Sequence, residues 1–397
     1  MTPAPVALVT YSTRPRGGVV HTLSVGEELH RAGISVHVYA LGDPKGGFFR
    51  PVDVPHTIIP APGWEPTLEG RVFASIEALT DGLRAELSGV PHVLHTQDCI
   101  AARAANLLRD EGRPVTVVRT VHHVDDFSTQ ALVECQQRSI IEPDHVLVVS
   151  RHWRDRLARE FGVSATVVAN GVDAMRFESA GDVSPADLRA QSGLDDGFVF
   201  LTVGGLEPRK GSLELVEALA VVRGKASPRP RLAVVGGHSF QDHRPYRERC
   251  LARAEDLGLV DDGLVLVGTV ADAELPAWYH AADAFVFPSV TEGWGLAVLE
   301  AMAAGLPVIT SDIPVFREYL ADEDALLVPP GDAEALAAAM AKLAGDATLR
   351  SRLGSRGPQL AGRFTWQSSA RQHAEFYAAL PVPRSAGQVS ASMLKLT

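Results

Sequence analysis

The sequence lacks the features that mark several large protein classes. Its three cysteines, Cys99, Cys135 and Cys250, lie far apart in 397 residues and form no CxxC pair. Isolated cysteines disfavour a disulfide framework or a zinc site and are typical of a reducing compartment. No run of 18 apolar residues occurs, and the N-terminus has no basic-then-apolar signal pattern. We therefore expect a cytoplasmic protein with no membrane-spanning helix.

Positive charge is also scarce. The chain has 37 Lys and Arg against 48 Asp and Glu, which gives a formal net charge of −11. This balance disfavours a nucleic-acid partner, and it gives no support to a basic surface for membrane association. Hydrophobic residues make up 46% of the chain and charged residues 21%, as in globular proteins. The length predicts two domains.

The common nucleotide and metal motifs are missing as well. No GxGxxG follows an apolar run and no GxxxxGK[ST] occurs, which disfavours a dinucleotide cofactor and a P-loop. No DxD-type pair follows a predicted strand. We expect no cofactor and no bound metal.

Short apolar runs alternate with helical patterns through most of the chain. In the first half the predicted strands are residues 6–10, 35–41, 92–96, 115–121, 145–150 and 165–169. Those in the second half are residues 198–204, 231–237, 264–270, 284–289 and 307–311. Apolar strands separated by helices predict parallel sheets that are covered on both faces. The fold class is therefore α/β, with two Rossmann-like doubly wound domains facing a cleft.

The same alternation predicts the domain limits. We expect a first domain over residues 1–172, a second over 173–365, a last helix at 366–380 that packs back on the first domain, and a loose tail at 381–397. The prolines between Pro51 and Pro66 predict no regular element, and residues 170–197 indicate a polar interdomain link. Ser150 is a suitable N-cap for the helix after it.

The most informative stretch is PSVTEGWGLAVLEAMAAGLPV, residues 288–308. A strand leads into a glycine loop that contains Glu292, Gly293 and Gly295, and a helix follows whose single charge is Glu300. Free amides at a helix start attract phosphates. The two carboxylates beside such a pocket suit a phosphorylated ligand with hydroxyl groups. The alternative is a buried helix in which protein groups satisfy Glu300.

Other candidate residues follow strands in the same way. Arg209 and Lys210 come after a second-domain strand, where cations would stabilise charge on a departing phosphate. Gly17 and Gly18 end the loop after the first strand and expose backbone amides. His122 follows the run VTVVRTV, which would deliver it to the cleft, whereas most neighbouring histidines are expected to be structural.

Together these segments resemble the family 4 retaining glycosyltransferases with the GT-B fold. The Glu-x7-Glu element is present as Glu292 and Glu300, within SVTEGWGLAVLEAMAAGLPVITSD. Other matching segments follow in the family's order: GGVVHTLSVGEELHRAGISVHV, ANGVDAMRF, VGGLEPRKG, LAVVGG, LVGTV and FTW. The resemblance covers nearly all of the chain except the tail and the proline-rich region.

The resemblance implies a nucleotide-diphosphate sugar as donor, bound mainly by the second domain, and an acceptor bound by the first. Its implied assignments place Glu300 on the ribose, and Glu292 with the backbone of Gly293, Trp294, Gly295 and Leu296 on the sugar and diphosphate. Lys210 would neutralise the leaving diphosphate with help from Gly18, and His122 would lie beside the donor sugar. Val270 would lie near the base. The acceptor could be a small molecule, a glycan or a lipid-linked hydroxyl compound.

The sequence departs from the family at one cation. Gly204-Gly205-Leu206 stands where the family usually has Gly-Arg-Leu, so one of the two arginine or lysine contacts to the diphosphate is missing. We expect Arg209 to replace it.

Three other functions share part of this pattern. A GT-B nucleotide-sugar epimerase would convert the donor without an acceptor, and an NAD oxidoreductase would need the missing glycine fingerprint. A non-catalytic nucleotide-sugar binding protein would never release nucleoside diphosphate. For the transferase we expect retention of configuration without a metal, so that activity persists in excess EDTA.

Overall fold

The computed structural model describes residues 4–87, 89–90, 92–194, 197–224, 228–237, 241, 243–260 and 262–381. These residues form two compact units. The first contains the chain up to Gly171 together with the C-terminal helix, and the second spans Val172–Thr365. Most of the predicted tail, residues 382–397, lies outside the described residues. Among the described residues, no helix combines the length and apolar character that crossing a bilayer requires.

The first unit is built on a parallel sheet with the strand order β3-β2-β1-β4-β5-β6-β7. Its strands are β1 (Val6–Thr10), β2 (Val36–Gly42), β3 (His56–Pro60), β4 (His92–Thr96), β5 (Val115–Val121), β6 (His145–Val148) and β7 (Ala165–Val167). Its helices are α1 (Gly17–Arg31), α2 (Leu68–Glu86), α3 (Cys99–Asp110), α4 (Gln130–Ile141), α5 (Arg151–Phe161) and the C-terminal helix (Trp366–Ala379). Every residue of β1 and β5 is buried, as expected for central parallel strands.

Three expectations for this unit were wrong in detail. The proline-rich region does contain a strand, β3, which lies at the edge of the sheet and pairs only with β2. An edge strand tolerates proline because one side of its backbone needs no hydrogen bonds. Gly17 and Gly18 are the first two residues of α1 rather than the end of a loop. The strands β6 and β7 end two residues earlier than predicted, whereas the Ser150 cap is confirmed, since its hydroxyl accepts from the Trp153 amide.

The second unit has a parallel sheet with the strand order β10-β9-β8-β11-β12-β13. Its strands are β8 (Val199–Val203), β9 (Arg231–Val235), β10 (Leu264–Gly268), β11 (Ala284–Phe287), β12 (Val308–Ser311) and β13 (Leu326–Val328). Its helices are α6 (Ala174–Phe177), α7 (Pro185–Gln191), α8 (Ser212–Arg223), α9 (Arg244–Asp256), α10 (Leu275–His280), α11 (Leu296–Ala303), α12 (Pro314–Arg317), α13 (Ala333–Gly345) and α14 (Ala347–Ala361). Two 3₁₀ turns, Pro208–Lys210 and Asp272–Glu274, follow β8 and β10.

The segment expected to be a polar link carries two short helices of this second unit. Asp173 caps α6 by accepting from the Arg176 amide, and Ser184 caps α7 by accepting from the Asp187 amide. Their sequences are too short to show a helical stripe, so the capping residues, together with Pro185 at the start of α7, were their signals. The edge strand β13 was also not predicted.

Four histidines lie close together inside the first unit. The His21 ring stands 4.8 Å from that of His122 and 5.5 Å from that of His373, and the His373 ring lies 5.4 Å from that of His95. His21, His95 and His373 are fully buried. His95 is held by the Tyr377 hydroxyl at 2.5 Å and the Thr120 hydroxyl at 2.7 Å. This cluster fastens the C-terminal helix to α1, β4 and β5.

Burial keeps these histidines neutral in the folded protein. It lowers the pKa of His373 to about 4 and holds the pKa values of His21 and His95 well below 6.5. In the unfolded chain the same imidazoles take up protons below about pH 6.5. The unfolded state therefore binds more protons in the window between these pKa values, and stability falls as the pH falls.

We predict that the free energy of unfolding of the first unit decreases between pH 7 and pH 5. Each such histidine contributes up to about 1.4 kcal/mol per pH unit in that window. Urea unfolding at several pH values measures the slope, and His373→Gln should flatten it. The exposed His30 supplies the control, since His30→Gln should leave the slope unchanged. An equal slope in the wild type and His373→Gln would contradict this origin.

Candidate active site

Arg209, Lys210 and Glu292 lie close together because of the strand order in the second unit. The sheet runs outward in opposite directions from β8 and β11, which are neighbours. The loops that leave the carboxyl ends of these two strands therefore lie side by side, where ligands bind in doubly wound sheets. Arg209 and Lys210 lie on the loop after β8, and Glu292 lies on the loop after β11. The Val290 amide donates to the Arg209 carbonyl at 2.9 Å and joins the two loops.

The Glu292 carboxylate accepts hydrogen bonds from both cations through one oxygen. Arg209 Nη1 donates to Oε1 at 2.6 Å, and Lys210 Nζ donates to the same oxygen at 2.5 Å. Glu292 is only 7% exposed. Arg209 and Lys210 are neighbours in sequence, and in a strand their side chains would point to opposite faces. Both can reach this oxygen because Pro208–Lys210 forms a 3₁₀ turn instead.

The surroundings of Lys210 are partly apolar. Its ammonium group lies 4.2 Å from the centre of the Phe287 ring, within the range of a cation–π contact. Burial lowers the pKa of Lys210, and the nearby Arg209 lowers it further, while Glu292 opposes both effects. On the far side of Arg209, the Glu207 carboxylate lies 3.6 Å from Nη2. The cluster therefore holds two cations between two carboxylates.

Gly205 and Gly211 shape the loop that carries the cations. A Cβ atom at Gly205 would lie 2.5 Å from the Gly237 carbonyl oxygen, so this backbone leaves no room for the arginine that the family usually has there. Gly211 has a φ of +63°, and a Cβ atom there would lie 2.3 Å from the Pro288 carbonyl oxygen. Only glycine allows this close approach of the two loops.

The glycine loop leads into α11 with unused amide groups. Gly295, with a φ of +88°, precedes the helix as its N-cap. The amides of Gly293, Trp294, Gly295 and Leu296 donate to no acceptor among the described residues, as is usual at a helix start. The Trp294 side chain is 5% exposed and packs against Tyr319, with ring centres 5.1 Å apart. A ligand contact at Trp294 would therefore involve its backbone rather than its indole ring.

Glu300 has the protein partner that its lone charge required. The Tyr279 hydroxyl donates to Oε2 of Glu300 at 2.7 Å, and Tyr279 itself is fully buried. Burial raises the pKa of Glu300, while the Tyr279 hydrogen bond and the nearby Arg176 oppose the increase. Arg176 is held in turn by Asp272, with Nη2 and Oδ2 3.0 Å apart. Val270 lies two residues before Asp272, on the loop that follows β10.

The candidate residues of the first unit also converge. A Cβ atom on Gly18 would lie 3.7 Å from His122 Cδ2, so the start of α1 and the end of β5 are in contact. His122 Nε2 lies 3.1 Å from Gln97 Oε1, and burial lowers the pKa of His122. Gly17, one residue earlier, has open space beside it. The ligand contacts implied for Gly17, Gly18 and His122 stay predictions.

The neighbouring histidines have partners within the first unit. His95 belongs to the buried cluster, and His92 bonds to the Val90 carbonyl oxygen at the start of β4. His123 lies 3.3 Å from Asp125. Among the described residues, no group of three His, Cys, Asp or Glu side chains has an arrangement that could hold a metal ion.

Comparison with known proteins decides the family. Residues 15–176 match the model described as Glycosyltransferase Family 4, and residues 186–360 match that of Glycosyl transferases group 1. The chain belongs to the family 4 glycosyltransferases. It is therefore a glycosyltransferase, and the predicted pair of Rossmann-like GT-B domains is confirmed.

Relatives with assigned activities match most of the chain. A D-inositol 3-phosphate glycosyltransferase of Corynebacterium glutamicum is 28% identical over 94% of this chain and 96% of its own length. A GDP-mannose-dependent alpha-(1-6)-phosphatidylinositol monomannoside mannosyltransferase of Mycolicibacterium smegmatis is 33% identical over 68% of this chain and 71% of its own. The solved structure of sucrose-phosphate synthase from Thermosynechococcus elongatus has a TM-score of 0.77 at 25% identity, covering 94% of this chain and 98% of that one.

Sequence reasoning missed the residues that support the candidate side chains. Tyr279, which holds Glu300, lies 21 residues before it in an unremarkable helix, and Gln97 and His21 contact His122 from other elements. No spacing rule links such residues, because sheet topology rather than chain distance brings them together. Gln97 could have been found, since it directly follows the predicted strand at residues 92–96.

We predict that Tyr279→Phe weakens binding of a ribonucleoside diphosphate by roughly tenfold, or about 1.4 kcal/mol. The phenol fixes one oxygen of Glu300, and without it the carboxylate would be less well oriented toward the ribose hydroxyls that it is expected to bind. Calorimetry with the ribonucleotide and its 2′,3′-dideoxy analogue measures the effect. The dideoxy analogue should bind the wild type and the variant equally. An equal loss for both nucleotides would show that Tyr279 does not act through Glu300.

Proposed function

We propose that the second unit binds a nucleotide-diphosphate sugar at the loops after β8 and β11, and that the protein transfers the hexosyl group to a hydroxyl acceptor bound by the first unit. The observation that carries the proposal is the convergence of Arg209, Lys210 and Glu292 beside the unused amides at the start of α11. Two cations and a helix N-terminus suit a diphosphate. Family membership makes the sugar donor the natural source of that diphosphate.

Each residue of the site has a proposed role. Lys210 and Arg209 neutralise the diphosphate, with Arg209 taking the place of the arginine that Gly205 cannot accommodate. The backbone from Gly293 to Leu296 donates to phosphate oxygens, and Glu292 accepts from sugar hydroxyls. Glu300, oriented by Tyr279, accepts from the ribose hydroxyls. Val270 lies by the base.

The reaction proceeds with retention and needs no protein nucleophile in this proposal. The bond from the anomeric carbon to the diphosphate oxygen breaks, and the acceptor oxygen forms the new bond on the same face. The departing phosphate takes the acceptor's proton. The protein supplies orientation and electrostatic stabilisation of the leaving group, and the cations can supply this stabilisation without a metal ion.

The acceptor is proposed from the relatives together with the chemistry of the reaction. The printed names of two relatives specify D-inositol 3-phosphate and a phosphatidylinositol monomannoside. We propose an acceptor of this broad kind, a hydroxyl-bearing cyclitol or sugar that is free or lipid-linked. We place the reaction in the cytoplasm on the pattern of isolated cysteines.

A thermal-shift panel of nucleotide sugars tests the donor. A ligand at 100 times its dissociation constant adds about 2.7 kcal/mol of stability, which is readily detected. The best donor is then incubated with D-inositol 3-phosphate, phosphatidylinositol or a cell extract, and mass spectrometry identifies the glycosylated product. Donor binding without release of nucleoside diphosphate would indicate a binding protein. Conversion of the donor to a sugar of changed configuration, without any acceptor, would indicate an epimerase.

We predict that Lys210→Ala lowers the turnover number on the order of 10²–10³, the typical cost of removing one hydrogen-bond donor that stabilises charge in a transition state. Initial rates of nucleoside diphosphate release at saturating donor measure the loss. Lys342→Ala, on the exposed side of α13, is the matched control and should retain full activity. Near-normal turnover of Lys210→Ala would remove Lys210 from the site.

A further inference from the structure

We propose that Glu292 is a built-in counter-anion that masks Lys210 and Arg209 until the sugar of an intact donor engages its carboxylate. This inference rests on the proposed function and adds a selection step to it. The site would then discriminate against ligands that carry a diphosphate but no sugar, including the nucleoside diphosphate product and inorganic pyrophosphate.

The geometry shows how Glu292 offsets part of the charge of the two cations without a ligand, while Glu207 lies 3.6 Å from Arg209 on its other side. A single oxygen of Glu292 lies 2.6 Å from Arg209 Nη1 and 2.5 Å from Lys210 Nζ. The Glu292 side chain is 8% exposed and that of Lys210 is 17% exposed, so solvent screens the interaction only weakly. Charge-assisted hydrogen bonds of this kind are among the strongest in proteins.

An incoming diphosphate must compete with this carboxylate for the same donors. If Glu292 stays in place, two anionic groups lie close together in a poorly solvated site, which is unfavourable. If Glu292 moves, it loses the hydrogen bonds from Arg209 and Lys210, and other donors must replace them. Sugar hydroxyls are such donors, and a free nucleoside diphosphate has none at that position. Hydrogen bonds from the sugar hydroxyls therefore replace the hydrogen bonds that Glu292 loses when the diphosphate binds the cations.

The same competition assists product release. Once the sugar has been transferred, Glu292 loses its hydroxyl donors while the diphosphate still occupies the cations. The carboxylate then gains most by binding Arg209 and Lys210 again, and this displaces the nucleoside diphosphate from the two cations. Glu292 thus acts on specificity and on turnover through one exchange of partners.

The isosteric variant Glu292→Gln tests the masking directly. Calorimetry at fixed ionic strength compares inorganic pyrophosphate, a nucleoside diphosphate and the corresponding nucleotide sugar. We expect pyrophosphate and the nucleoside diphosphate to bind at least tenfold tighter to the variant than to the wild type. The nucleotide sugar should gain less, because it loses the charged acceptor for its hydroxyls. Glu217→Gln, on α8 and paired with Arg253, matches the change in charge and should show no gain.

Two further variants exclude simpler explanations. The double variant Glu292→Gln/Lys210→Met should lose most of the pyrophosphate gain, since the unmasked cation is then absent. If Glu292→Gln fails to fold, Glu292→Asp retracts the carboxylate by one methylene and should show a smaller gain of the same sign. Pyrophosphate affinity that is unchanged or weaker in Glu292→Gln, or in Glu292→Asp where the former does not fold, overturns the masking.

The two levels of the proposal fail in different ways. If no nucleotide sugar binds the wild type, the proposed function fails. If nucleotide sugars bind and turn over while Glu292→Gln shows no gain for pyrophosphate, the donor site stands and the masking alone is wrong.

Discussion

The arrangement of the second unit depends on a carboxylate held between two cations. Glu292 brings the loop after β11 against the loop after β8, and the charges of Lys210 and Arg209 require it there. Removing one member of such a buried group typically costs several kcal/mol, because the remaining charge is left unpaired. Gly211 keeps the two backbones close enough for this contact, because a Cβ atom there would lie 2.3 Å from the Pro288 carbonyl oxygen. The charges that would serve a diphosphate ligand thus also hold the ligand-free loops together.

Two other candidate side chains, those of Glu300 and His122, each have a hydrogen-bond partner from another element of the same unit. Tyr279 takes one oxygen of Glu300, and Gln97 takes one nitrogen of His122. Such partners fix the orientation of a side chain without using all of its hydrogen-bonding capacity. The histidines behind His122 have a different effect, because their burial makes the first unit sensitive to acid. The contacts that orient Glu300 and His122 therefore also bury polar groups, which is unfavourable unless these groups are hydrogen-bonded.

Much of the fold was predictable because parallel strands are buried on both faces. The run at residues 6–10, VALVT, is almost continuously apolar, and the structure places a strand with the same limits. The edge strands β3 and β13 were missed because they are not buried on both faces. They are half-covered and short, and β3 is flanked by prolines that usually break a strand.

The predictability of the candidate site had a similar limit. Glu292, Lys210 and Glu300 could be identified from the sequence because a charged residue close to or within an apolar segment is costly to bury without a partner. The convergence of Arg209 and Lys210 on one oxygen could not be foreseen, since it depends on a 3₁₀ turn of three residues. Tyr279 and His21 could not be found from spacing, because only the packing of distant elements gives them their partners.

The most direct test of the account is a ³¹P NMR titration of nucleoside diphosphate bound to the protein. A terminal phosphate free in solution loses its last proton near pH 6. If Lys210 and Arg209 hold the diphosphate, they favour the dianion, and the pKa of the bound terminal phosphate must lie clearly below that of the free nucleotide. A bound phosphate whose pKa equals or exceeds the free value in both the wild type and Glu292→Gln would show that the diphosphate does not bind at these cations.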